Sequence, residues 1–389
     1  MKPDTKLTQL SRTPTNDPRT VNVPIHRAST VLFDSVAHLN ETQQRFNNDE
    51  PVPTYGIVNM PQVLALENAV AEIEHGYRAM SFSSGLAAVV GALLASVKSG
   101  DHVLMPDSVY VPSRHFCDTF LPRMAVETSY YDPTIGGDIR SLMRPNTTVV
   151  YAESPGSHTF EIQDLPAIAD VAHAHGAKVI FDNAWATGLF FDAFKHGADL
   201  VVQPATKYYA GHSDVIIGLV VANEQSWPQL KQTTCDLGQR ASPDDCFLTL
   251  RGMRTMGVRL AKHQASALKI ATWLQSRPQV RRVLYPALPA DPGHTIWQRD
   301  FSGAAGLFSI ELNPCSDDAV AAMIDGLQYF ALGYSWGGFE SLVVPAYLHR
   351  RVNPWQGGPL IRLQIGLEDV DDLIEDLSSG LDRLKNTCG

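Results

Sequence analysis

Asp182 and Lys207 stand 25 positions apart, each placed at or just past the end of a short apolar run that reads as a β-strand. One helical crossover fits between them. In an open parallel sheet, ligands bind outside the carboxyl ends of the strands, so both side chains can face one crevice. Two chemistries fit this pair. It can be a plain buried ion pair. Alternatively, a desolvated lysine with a lowered pKa can form a Schiff base. An aspartate opposite a pyridinium nitrogen then keeps pyridoxal phosphate (PLP) charged as an electron sink. Ser83-Ser84-Gly85-Leu86 opens a predicted helix, where free N–H groups and the helix dipole suit a phosphate. Small residues at that place also serve as ordinary caps.

The elements around these residues predict how they are held. Pro61 starts a helix with Val63, Leu66, Val70 and Ile73 on one face and Gly76 as its stop. A helix of small apolar residues follows Gly85 and closes at Gly100, and Asp164 caps another over 166–175. Apolar runs at 102–105, 148–152, 178–181, 200–202 and 215–221 alternate with these helices. Unbroken apolar strands indicate a parallel sheet covered on both faces. Past residue 253 a long amphipathic helix runs from about Thr255 to Leu274. Strand-like runs follow at 283–285, 306–312, 329–334 and 360–365, a smaller α+β pattern. The expected division is 1–60 as an extended arm on a neighbouring subunit, 61–253 as the ligand-binding domain and 254–389 as the C-terminal domain.

Composition narrows the function classes. The 389 residues are 44% hydrophobic and 19% charged, enough for a large core and unlike a disordered chain. A net charge of -10 disfavours a broad grip on nucleic acid or anionic lipid. Cys117, Cys235, Cys246, Cys315 and Cys388 form no C-x-x-C pair, which reads as reduced thiols in a cytoplasmic protein without a zinc ribbon. The first 19 residues are polar and lack the apolar run of a secretory signal. The most apolar stretch, 86–97, is too short to span a bilayer. No P-loop, H-E-x-x-H or dinucleotide motif occurs, and no metal site is expected. Gly333-Tyr-Ser335-Trp-Gly337 fits the nucleophile elbow of α/β-hydrolases, but a second glycine follows where a helix should begin, and His349 is the sole histidine downstream.

The run Gln203-Pro-Ala-Thr-Lys-Tyr-Tyr-Ala-Gly-His-Ser-Asp214 resembles the PLP-lysine signature of the Cys/Met-metabolism family of PLP enzymes. The resemblance extends from Thr30-Val-Leu-Phe-Asp34 to Ile365-Gly-Leu-Glu-Asp-Val-Asp-Asp372, and within the family it looks most like the bacterial cystathionine β-lyases. It implies a fold-type I, transferase-like α/β architecture. It also implies roles. Lys207 would hold PLP and act as general acid and base. Asp182, in Phe181-Asp-Asn-Ala-Trp-Ala186, would pair with the pyridine nitrogen. Tyr110, in Asp107-Ser-Val-Tyr-Val-Pro112, would stack on the ring as a second catalytic group facing the substrate. Gly85, Leu86 and Thr206 would bind the phosphate. Tyr55, in Thr54-Tyr-Gly56, would reach the phosphate and substrate of a neighbouring subunit in a homotetramer of active dimers. Arg362 would clamp the substrate α-carboxylate, with Ser335 and Trp336 lining the pocket.

Ser335-Trp-Gly-Gly338 and Glu153-Ser-Pro-Gly-Ser157 look like the β-lyases, where γ-acting relatives usually carry Ser-Leu-Gly-Gly and Pro-Thr-Asn-Pro. Position 57 is Ile, where most family members carry a phosphate-binding Arg after Tyr-Gly. The implied reaction is β-elimination of L-cystathionine to homocysteine, pyruvate and ammonia. The alternatives are a broader cysteine-S-conjugate β-lyase, an alanine racemase or γ-lyase on the same scaffold, and a regulatory protein that keeps the fold without turnover.

Overall fold

The computed structural model describes residues 1–11 and 20–387. Two sheets organise it. The first contains β1 (Arg78–Phe82), β2 (His102–Pro106), β3 (Glu127–Tyr131), β4 (Thr147–Glu153), β5 (Lys178–Asp182), β6 (Leu200–Gln203) and β7 (Gly218–Ala222). Their order is β1-β7-β6-β5-β4-β2-β3. Strands β3, β2, β4, β5 and β6 run parallel, and β7 runs antiparallel to both β6 and β1. The second sheet contains β8 (Val280–Leu284), β9 (Leu307–Leu312), β10 (Ala331–Leu332), β11 (Leu342–Ala346) and β12 (Leu360–Gln364), in the order β10-β11-β12-β9-β8. It is antiparallel apart from the β10–β11 pair.

The central strands are as apolar as expected, and β2, β6 and β7 are buried along their whole length. Helices cover them because their sequences carry matching apolar faces. Helix 61–73 buries Val63, Leu66, Val70 and Ile73. Helix 85–94 packs so closely on β1 that a Cβ on Gly91 would lie 2.3 Å from the Phe82 ring. The Asp164 carboxylate caps helix 165–174 by accepting Ala167 N–H at 3.3 Å. The helix expected from about Thr255 to Leu274 forms from Met256 to Leu274.

Three expectations need correction. The run at 215–221 forms β7 from 218 onward and lies antiparallel, because a short loop after Lys207 returns the chain without a crossover helix. Of 329–334, only Ala331–Leu332 is strand. Residues 1–60 are not extended throughout, since helices form at Pro3–Gln9 and Val36–Asn47. The first of these lies on its own chain: Leu7 is buried, and the Leu7 carbonyl accepts from Arg254 Nη1 at 3.0 Å. Cys388, and residues 12–19 of the polar N-terminal stretch, lie outside the described residues.

Phe181 sits on β5 directly before Asp182 and is fully buried against Phe191, 4.9 Å between ring centroids. Phe181→Ala should lower stability by ~3–5 kcal/mol in urea unfolding, the usual cost of emptying a buried aromatic site. A loss below about 1 kcal/mol would show that β5 does not carry the core.

Candidate active site

The carboxyl ends of β4, β5 and β6 open onto a cavity of about 1030 Å³. Every residue expected at the site lines it except Tyr55. Tyr55 is about half exposed and forms an isolated bridge with Val58, away from its own chain's cavity.

Asp182 ends β5 and is 6% exposed. Its carboxylate accepts Ala184 N–H at 3.0 Å and Tyr151 O–H at 3.2 Å. Burial pushes its pKa up to about 6, held from rising further by those two bonds and by the Lys207 charge. At neutral pH it is therefore an anion seeking a cation. Lys207 is pushed the other way. Burial first, and the Arg362 charge second, bring it down to about 8, with Asp182 opposing. Its Nζ donates to Ser335 Oγ at 2.7 Å and lies 5.2 Å from the centre of the Trp336 ring.

Ser335 bridges two functional groups. Its hydroxyl meets Lys207, and its carbonyl accepts from Arg362 Nη2 at 2.9 Å. Its φ of 70° is left-handed, a conformation disfavoured for a residue with a Cβ. Gly337, at φ +84°, lets the same turn approach the Lys207 backbone, where a Cβ would lie 3.0 Å from the Lys207 carbonyl carbon. Arg362, on β12, is 8% exposed, and burial lowers its pKa to about 10. The guanidinium remains charged and keeps donors free for a carboxylate.

At the other end of the cavity, Ser84 caps helix 85–94 by accepting Ala87 N–H at 3.1 Å. The first intrahelical bond runs from Ala88 N–H to Ser84 O, so the Gly85 and Leu86 amides lie ahead of the ladder. Gly85 is required there, because a Cβ would stand 2.7 Å from Pro204. Thr206 reaches the same end. Its hydroxyl is shared with the Ile217 backbone, accepting N–H at 2.9 Å and donating to the carbonyl at 3.1 Å. Tyr110 precedes helix 111–119 and is about half exposed at the cavity.

Two carboxyl groups were not singled out from sequence. Glu153 ends β4 in register with Asp182 and accepts Tyr110 N–H at 2.8 Å. Burial, and then the Asp182 charge, push its pKa well above its ordinary value, which favours its neutral form beside Asp182. The strand-end rule that exposed Asp182 also applied to it. Glu74 is fully buried behind the site and accepts from Asn183 at 2.7 Å, Gln203 at 2.9 Å, Gly188 N–H at 2.9 Å and the Tyr209 hydroxyl. It ties the ends of β5 and β6 to the Lys207 turn. Its place one residue past a helix gave no sequence signal.

This donor set fits PLP. Unpaired helix-start amides and Thr206 offer a phosphate cradle, Asp182 an anion at the ring-nitrogen position, and Lys207 an amine of lowered pKa. The family model for Cys/Met metabolism PLP-dependent enzymes matches residues 4–382. The chain belongs to this family.

A putative cystathionine β-lyase of Rhizobium johnstonii is 47% identical over 97% of this chain and 95% of its own. A cystathionine β-lyase of Escherichia coli is 43% identical over 98% and 99%. An L-alanine/L-glutamate racemase of a Wolbachia strain is 38% identical over 99% and 98%. The crystal structure of metB from Corynebacterium glutamicum superposes with a TM-score of 0.91 at 29% identity, covering 99% of this chain and 98% of that one. The protein is thus a PLP-dependent enzyme of the fold-type I architecture, and among the described residues no helix is long and apolar enough to cross a membrane.

The neutral amine is the form that attacks a carbonyl. Because burial lowers the Lys207 pKa, PLP capture by apoenzyme should quicken with pH and level off just above about 8. Stopped-flow absorbance measures this. A rate still climbing toward the ordinary lysine pKa of about 10.4 would show that Lys207 is not desolvated.

Proposed function

We propose that this enzyme is a carbon–sulfur lyase that cleaves L-cystathionine by β-elimination to homocysteine, pyruvate and ammonia. Full-length likeness to enzymes named cystathionine β-lyase carries the reading. It is set on a cavity that gathers Lys207, Asp182 and Arg362.

The residues divide the work. Arg362 binds the α-carboxylate as a planar fork and so fixes the substrate's orientation. PLP, when bound, supplies a sink for the electrons left at Cα. Asp182, at the end of β5, would face the ring nitrogen and keep that sink cationic. Lys207 holds the cofactor in the resting enzyme. Its amine, when free, would take the proton from Cα and deliver one to the departing sulfur. Ser335 holds Lys207 Nζ in line for that transfer. Tyr110 would cover the cofactor ring and shield it from water, and Trp336 would wall the substrate side. The Gly85 and Leu86 amides and Thr206 bind the phosphate.

The oligomer belongs to the same proposal. Leu32 is 88% exposed and Val36 73%, which is costly for a free arm and suits one laid on a second subunit. Tyr55, outside its own cavity, would then contribute to its neighbour's site in a cytoplasmic homotetramer of active dimers.

Purified enzyme given L-cystathionine should release pyruvate and homocysteine. Dominant 2-oxobutyrate and cysteine would point to γ-cleavage, and D-alanine formation from L-alanine without lyase activity would point to a racemase. Arg362→Lys should cut kcat/KM roughly 10- to 100-fold, matching loss of a charge-assisted bond worth about 1.5–3 kcal/mol. Near-normal kinetics would remove Arg362 from substrate binding.

A further inference from the structure

A buried carboxylate outside the expected set controls one wall of the cavity. Asp107 follows β2, and its side chain has no exposed surface. Its Oδ2 accepts three consecutive backbone N–H groups: Arg351 at 2.9 Å, Val352 at 2.8 Å and Asn353 at 3.2 Å. Its Oδ1 accepts Arg114 Nη2 at 2.8 Å. Burial opposes the charge, but the backbone donors and Arg114 outweigh it and hold the carboxyl below its ordinary range.

The donors belong to the segment between β11 and β12, which forms no helix or strand from 347 to 359. Its shape therefore depends on what it is tied to. Further ties run from the same segment to the part of the chain that carries the larger sheet. Arg350 pairs with Glu161 at 2.8 Å and bonds the Thr159 hydroxyl. Arg351 pairs with Asp118 at 2.8 Å, and Asn353 Nδ2 donates to Asp132 at 2.8 Å. Asp107 is the one buried anchor among these acids, and it alone gathers the backbone.

Tyr347 and His349, at the near end of the segment, line the cavity with Lys207. The helix-start amides, Thr206 and Asp182 are committed to the cofactor, and Arg362 to the α-carboxylate. The lining left for the departing half of the substrate includes this segment and the loop at 156–158, together with Tyr334 and Trp336. We propose that Asp107 is a positioning residue that fixes the 347–353 strap, and through Tyr347 and His349 sets the enzyme's preference for long cysteine thioethers over short ones. The proposal rests on the lyase reading.

The test compares PLP-loaded wild type with Asp107→Asn, which keeps the shape, removes the charge and turns an NH₂ toward the amide donors. L-cystathionine is the long substrate and S-methyl-L-cysteine the short one. The variant should lose about tenfold or more in kcat/KM for cystathionine, mainly through KM, the scale expected from losing hydrogen bonds to a charged group. The value for S-methyl-L-cysteine should stay within about threefold. Hydrogen–deuterium exchange should quicken at 347–353. Asn353→Ala cuts an exposed tie to the same strap and spares the core. It should act in the same direction more weakly, and it serves if Asp107→Asn does not fold. Equal losses on both substrates, or unchanged exchange in the strap, would overturn the proposal. A wild type that cleaves neither substrate sinks the lyase reading instead, and exchange alone then decides whether Asp107 holds the strap.

Discussion

The contact at Ser335 joins the two sheets at the point where chemistry occurs. Its hydroxyl receives the Lys207 amine, which follows a strand of the larger sheet. Its carbonyl receives the Arg362 guanidinium, which rises from the smaller one. A buried guanidinium and a partly buried amine are thereby held at fixed places without a carboxylate directly bonded to either among the described residues. Two such cations favour anionic groups brought between them. The left-handed Ser335 backbone and the glycine at 337 are the local strain that the arrangement requires.

Burial then sorts the protons. Asp182 and Glu153 lie side by side at the ends of β5 and β4, and both are pushed upward, yet Asp182 has the Ala184 amide, the Tyr151 hydroxyl and the Lys207 charge to favour its anion, against the Tyr110 amide for Glu153. The surroundings favour the charge on Asp182 over Glu153. The same burial that raises the carboxyls lowers Lys207. Burial at the end of the parallel sheet thus supplies an amine able to attack, while the Ala184 and Tyr151 hydrogen bonds and the Lys207 charge keep Asp182 an anion able to hold a pyridinium against that same burial.

Much of this was legible in the sequence because the central strands are continuous apolar runs. Their ends mark the crevice, so Asp182 and Lys207 could be placed from spacing, and the helix start at Ser84 from its small residues. The flanking strands were not legible. β1, Arg78-Ala-Met-Ser-Phe82, and β3, Glu127-Thr-Ser-Tyr-Tyr131, are the outermost strands of their sheet and keep polar side chains where a central strand would be apolar. β11 was hidden by Pro345. Glu74 and Asp107 escaped notice because their partners lie far along the chain, more than 100 residues away for Glu74 and over 240 for the strap amides. Spacing rules see only local order, whereas the residue types carrying the family resemblance also pointed to Arg362, which lines the cavity.

The central claim is that Lys207 is the residue that carries the cofactor. Borohydride reduction of the PLP-loaded enzyme, followed by proteolysis and mass spectrometry, tests it directly. The expected result is a single pyridoxyl-modified peptide with the label on Lys207. A label on any other lysine would contradict the assignment, and so would an enzyme that takes up PLP but shows no reducible adduct.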